Sequence, residues 1–172
     1  MTQIIDTKRY RGNLKWMAIS LPWAIIAIFV FPPAGAVLLV AIQIWLAILV
    51  FSIWYKAWQT IQDSHARTTP GKAIGYAFIP FFNVYWIFQM IWGFAVDFNR
   101  FADRYGHPVK HLPSTGIFVA LVIGVLGIIP VLSIPCGIVG GTLYILIVIT
   151  VVKRVNELGE SIASQAAAPP AL

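Results

Sequence analysis

Two long stretches of this chain, residues 16–55 and 112–152, contain no Asp, Glu, Lys or Arg. Each is long enough for two membrane crossings of about 20 residues. Charge is scarce throughout, at 10% of the chain against 59% hydrophobic residues. That balance excludes an ordinary soluble domain and makes lipid the solvent. Cysteine is almost missing: Cys136 stands alone, so no intrachain disulfide can form, and its neighbours Pro135 and Gly137 mark it as a small packing residue. Acidic residues number six against twelve Lys and Arg, for a net charge of +6. The basic residues flank apolar runs instead of forming a stripe. They read as topology signals and contacts to membrane lipids, and no nucleic acid is expected.

The absence of ionisable groups inside the apolar runs limits the chemistry. Membrane enzymes and proton-coupled transporters usually hold such a group at membrane depth. Here the polar residues are Ser20, Gln43, Ser52, Ser133, Thr142 and Thr150, with Gln89 in the central segment. Gln43 and Gln89 are candidates for interhelical hydrogen bonds or for a polar path. His107-Pro108-Val109-Lys110-His111 lies near Asp103. However, Pro108 breaks the helix that would align the two imidazoles, so neither a metal nor a cofactor is expected. Gly71-Lys72 lacks the other residues of a phosphate loop.

Each charge-free stretch is broken near its middle, at residues 31–35 and 129–135, by prolines of the kind found in tight turns. The expected fold is therefore an all-α integral membrane protein with four transmembrane helices, over residues 16–31, 36–55, 114–129 and 136–152, in two proline-turn hairpins. Residues 1–163 form a single membrane domain and 164–172 an Ala/Pro-rich disordered tail. The basic arm at 8–15, the apolar run after it and Ala34-Gly35-Ala36 are arranged like a signal peptide. The arm is read here as retained and the run as a true span.

The uncharged central segment, residues 73–96, is long enough to cross once, which would give five spans. A crossing would divide the basic residues seven against five, whereas a segment that returns to its side of entry leaves all twelve on one side. The positive-inside rule favours the second arrangement, with both termini cytoplasmic. Pro80 interrupts helical hydrogen bonding, and Asn83 is a good N-cap for a helix starting at Val84. Eleven aromatic residues between 76 and 101 suit the depth where headgroups meet hydrocarbon. The segment is predicted to be a re-entrant or kinked hairpin.

The run from Pro70-Gly71-Lys72 through Gly75-Tyr76-Ala77-Phe78-Ile79-Pro80-Phe81-Phe82-Asn83 to Trp86 resembles the central motif of an uncharacterised family of small bacterial multi-pass membrane proteins. The resemblance implies a bacterial inner membrane and carries no activity with it. Pro80, Asn83 and Trp86 are its structural residues.

Three helix ends continue beyond the apolar runs with apolar residues at three-to-four-residue spacing: Trp54, Trp58, Ile61; Phe94, Phe98, Phe101, Tyr105; and Val151, Val155, Leu158, Ile162. Trp58, Phe98, Phe101, Val155 and Leu158 are candidate interaction residues, because apolar surface outside the bilayer must be covered. Ser133, Gly137 and Gly141 form a small-residue face on the last span, suited to close helix approach. Residues 46–66 and 143–163 match at Leu46, Ile48, Leu49, Lys56, Ser64 and Ala66, the trace of a degenerate parallel repeat. Asp97, Arg100, Asp103 and Arg104 can pair along one helix face. The functional expectation is a non-enzymatic accessory or interaction subunit, assembling with protein partners or as a homo-oligomer. The alternatives are a small oligomeric channel or transporter, and then a membrane enzyme.

Overall fold

The computed structural model describes residues 4–167, and for part of residues 17–30 the backbone alone. All regular structure among the described residues is helical: α1 (Thr7–Val30), α2 (Pro32–Thr60), α3 (Pro70–Gly75), α4 (Phe82–Arg104), α5 (Ser114–Leu126) and α6 (Ser133–Ala167). Short 3-10 turns lie at Tyr76–Phe78 and Pro130–Leu132. Among the described residues two helices, α2 and α6, are long and apolar enough to cross a membrane, where the sequence predicts four. The difference has a physical cause in α5. Its 13 residues give about 20 Å of helix, short of a hydrocarbon core of about 30 Å. In α1 much of the apolar stretch, within residues 17–30, lies outside the described side chains.

The chain forms two compact units, residues 6–53 and, among the described residues, 4–5 with 54–167. In the first, Asp6 caps α1 by accepting hydrogen bonds from the backbone N–H of Lys8 and Arg9 at 2.9 and 3.1 Å. The turn expected over residues 31–35 contracts to Phe31. Pro32 and Pro33 open α2, where a missing N–H is harmless, and Ala34 and Gly35 donate back to the Phe31 carbonyl. The Tyr10 hydroxyl meets Ser52 Oγ at 2.8 Å. This ties the start of α1 to the later part of α2, so the two run antiparallel.

The core of the second unit is built from the three apolar stripes. Trp54 and Trp58 meet Phe94 edge-on, at centroid distances of 5.6 and 5.4 Å, and Phe94 lies 5.9 Å from Phe98. Both indoles donate hydrogen bonds, Trp54 to the Tyr144 hydroxyl and Trp58 to the Met90 carbonyl, each at 3.1 Å. Ile61, Val151, Val155 and Leu158 complete the interior. Trp58, Phe98, Val155 and Leu158 are therefore not available to a partner, because all four have no exposed surface. Amphipathic helix ends that leave the apolar runs side by side cover one another, each large side chain contributing about 1.5–3 kcal/mol. Phe101 alone of the five stays partly exposed, its ring stacked on His107 and tilted against Tyr105.

The N-terminal segment is fastened to the same core. The Asn156 side chain accepts from the Ile5 N–H at 2.9 Å and donates to the Ile5 carbonyl at 3.1 Å. Ile4 lies against Gly159, where a Cβ would collide with it. Between α5 and α6 the contact is Gly140 on Gly124: a Cβ on Gly140 would stand 3.1 Å from the Gly124 Cα. The small-residue face predicted at Gly137 and Gly141 is instead exposed, and a Cβ at either position meets nothing within 4 Å. At 100° per residue those two positions are turned about 60 to 100° away from Gly140.

The predicted break at Pro80 is present. Thr69 caps α3, Pro70 takes its first position, and the chain then passes through extended Ile79 to Phe81, whose φ of +64° lies in the left-handed region. Phe81, with no side-chain cap bond, is the N-cap of α4, and Asn83 lies within the first turn. Asn83 therefore does not have the capping role the sequence gives it. The hairpin is closed by Trp86, which donates to the Ala73 carbonyl at 2.8 Å and packs on Tyr76 and Phe82. Asn83→Ala should accordingly change stability by less than about 0.5 kcal/mol, against about 1 kcal/mol for a lost cap. Phe81→Gly, which relieves left-handed strain and removes a ring that is 95% exposed, should raise the thermal midpoint. A loss of about 1 kcal/mol at Asn83 would restore it as the cap. At the other end of the chain α6 continues to Ala167, so residues 164–167 of the expected tail are helical. Residues 168–172 lie outside the described residues.

Candidate functional site: a charged pocket beside the helix-end core

The loop from Thr60 to Thr69 and the last turns of α4 enclose a depression of about 210 Å³, lined by Ile61, Asp63, His65, Ala66, Asp97, Arg100, Phe101 and Arg104. The core beneath it steadies both walls: Trp58, at the end of α2 before the loop, packs on Phe94 of α4, and Ile61 and Phe98 are both buried.

Asp97 is the most deeply set charge, with 9% of its surface exposed. Arg67 forms a two-pronged pair with it, Nε to Oδ2 at 2.9 Å and Nη2 to Oδ1 at 2.8 Å, and the Arg67 backbone N–H adds a third bond at 3.2 Å. Such a fork holds the loop on α4 with defined geometry. Gly93, one turn before Asp97, makes room for it: a Cβ there would stand 3.0 Å from Arg67 Nη1. The same Nη1 donates to Gln89 Oε1 at 3.2 Å, and Gln89 donates on to the Tyr85 hydroxyl at 3.1 Å. A polar line thus descends α4 from the pocket toward the aromatic hairpin. Gln89 belongs to it, whereas Gln43 sits exposed on α2 in the other unit.

Asp63 pairs with Arg104 and accepts from the His65 backbone N–H at 2.8 Å. Burial pushes its carboxyl upward, but the His65 hydrogen bond and the Arg104 guanidinium outweigh this and hold it below the usual carboxylate range. A lowered folded value means that the pair's contribution is present above the unfolded carboxylate value. It is lost only as the pH falls through the folded one.

The ion-pair ladder expected along α4 does not form, because three of its four members, all but Arg100, reach off the helix. Asp97 takes Arg67, Arg104 takes Asp63, and Asp103 takes His111 at 2.8 Å. His107 bonds Ser161 instead, at 3.0 Å, so the two histidines point to different partners. Among the described residues no group of three His, Cys, Asp or Glu is placed to hold a metal ion. The loop that carries the histidines is fixed by Asn99, which accepts from the Leu112 N–H at 2.7 Å and donates to its carbonyl at 2.9 Å.

Arg67 and Gly93 escape a sequence reading because thirty residues separate Arg67 from Asp97. The available signal is the spacing of Gln89, Gly93 and Asp97, which forms a polar and small line along the otherwise apolar stretch of α4 before Phe98. Arg67→Ala is expected to cost about 2 kcal/mol, below the fully buried case because the guanidinium keeps some water. Asp97→Ala should cost less, since it leaves the partly solvated partner unpaired. Thermal melting of both variants in detergent checks the order, and the reverse order would mean that Asp97 is solvated.

In comparisons with protein-family models, curated proteins and solved structures, nothing matches this chain.

Proposed function

We propose that the chain is a multi-pass protein of a bacterial inner membrane, with four crossings, the bilayer thinning around the short α5, a central hairpin that returns to its side of entry, and both termini cytoplasmic. Its work is non-enzymatic: the cytoplasmic helix ends form a preassembled platform on which a protein partner or another copy is held. The observation that carries this reading is the closed core, in which Ile5, the end of α2, α4 and the outer half of α6 are packed together. It favours one side for all of these ends, the side on which the charge pattern also gathers the twelve basic residues. The broken hairpin at residues 79–81 supports a return, and the resemblance of its motif to bacterial membrane proteins belongs to the same proposal.

The apolar stripes hold the platform together, so its working surface is the rim, with Phe101, Tyr105 and His107 as its aromatic part. Mild-detergent purification with identification of copurifying proteins and measurement of the complex's mass tests this. Tyr105→Ala, at a side chain 48% exposed, should reduce association while leaving the thermal midpoint unchanged. Unchanged mass and copurification would sink the rim as the docking surface. Replacing Gly137 and Gly141 together by Leu tests assembly within the membrane in the same way.

A second reading, a small oligomeric channel or transporter, is favoured by the line from Asp97 through Arg67 and Gln89 to Tyr85 on the broken hairpin. Ion flux in liposomes that is abolished by Gln89→Leu would select it over the platform.

A further inference from the structure

We propose that the pocket between the Thr60–Thr69 loop and α4 binds a phosphate-bearing anion, supplied either by a lipid headgroup or by free phosphate. Charge bookkeeping at the pocket points to it. Asp63 is answered by Arg104 and Asp97 by Arg67, so both carboxylates are already neutralised. Arg100 also lines the pocket, is exposed, and has no carboxylate partner among the described residues. The neighbourhood therefore carries one surplus positive charge, that of Arg100.

The donors suit the ligand. Arginine's planar fork matches two phosphate oxygens, and the Arg104 and Arg100 side chains project from one face of α4, a turn apart. Arg104 gives one guanidinium nitrogen, Nη1, to Asp63, so others remain for a second acceptor. Ile61 and the Phe101 ring supply an apolar floor on which the carbon atoms next to a phosphate can rest. The depression, about 210 Å³ and open on one side, has room for a phosphate or a phosphoglycerol group.

Position makes both sources reachable. Ile61 lies six residues beyond Tyr55, the last residue of the first charge-free stretch. At 1.5 Å per residue that is about 9 Å, near the outer edge of a headgroup layer of about 5–8 Å. This inference does not depend on the platform reading, since a pocket for an anion can serve an assembly subunit or a transporter alike.

The test uses the full chain in nanodiscs of phosphatidylcholine, with inorganic phosphate added in one arm and phosphatidylglycerol mixed into the lipid in the other. Binding is read as a rise in thermal midpoint over matched chloride or pure phosphatidylcholine, and as lipid retained on release from the disc. Arg100→Gln, at an exposed side chain, should leave the basal midpoint unchanged and weaken binding about tenfold, as expected for the loss of one or two charge-assisted hydrogen bonds. Lys110→Gln, outside the pocket, should have no effect. A response to phosphate identifies the free anion, and a response to phosphatidylglycerol alone identifies the headgroup. No response in either arm overturns the proposal. Equal weakening by Arg100→Gln and Lys110→Gln also overturns it, because attraction would then be spread over the whole basic surface.

Discussion

Trp58→Asp is expected to unfold the helix-end core. Trp58 has no exposed surface, packs edge-on against Phe94 and donates to the Met90 carbonyl. Removing a buried tryptophan typically costs about 3–5 kcal/mol, and an unpaired carboxylate in its place costs more. The thermal midpoint in detergent should fall by about 10 °C or more, at roughly 2–4 °C per kcal/mol for a chain of this size. Phe101→Asp, at a ring already partly exposed, should lower it far less. A Trp58→Asp protein that melts like the parent but loses a bound partner would show that the tryptophan faces outward, as the sequence reading supposes.

Gly140→Leu should separate α5 from α6 and destabilise the protein by about 3 kcal/mol or more, at or beyond the upper end of ordinary overpacking. The first added carbon already stands 3.1 Å from the Gly124 Cα, and a backbone cannot swing aside as a side chain can. The contact is one-sided. A Cβ on Gly124 meets nothing within 4 Å, so Gly124→Ala should stay within about 0.5 kcal/mol of the parent. Gly137→Leu and Gly141→Leu should also preserve the melting midpoint, whatever they do to assembly. If Gly137→Leu proved as damaging as Gly140→Leu, the helices would be packed in the register predicted from the small-residue spacing.

These two cases show which part of the structure is legible in the chain. Hydropathy locates the helices, Pro80 marks the break before α4, and the three stripes identify the faces that must be buried. What a face is buried against is a tertiary fact. Trp58 and Phe98 look like docking residues until Phe94 is seen to pack against both and neither is found to keep exposed surface. Ser133, Gly137 and Gly141 fit a four-residue repeat, but the crossing point is set by Gly124 on another helix. Asn83 satisfies the composition rule for a cap, and the turn geometry gives that position to Phe81. At the pocket, the α4 charges are visible as a cluster. Their partners Arg67, Asp63 and His111 come from loops whose folding no local pattern reveals.

The central claim is that the central hairpin returns, leaving both ends of the chain on one side. In a Cys136→Ser background, single cysteines at Thr7 and Ser164 can be labelled with a membrane-impermeant maleimide in intact cells and in inverted vesicles. The account predicts that both react only in the inverted vesicles. Labelling of Ser164→Cys in intact cells, with Thr7→Cys reactive only in inverted vesicles, would contradict it and make residues 73–96 a fifth crossing.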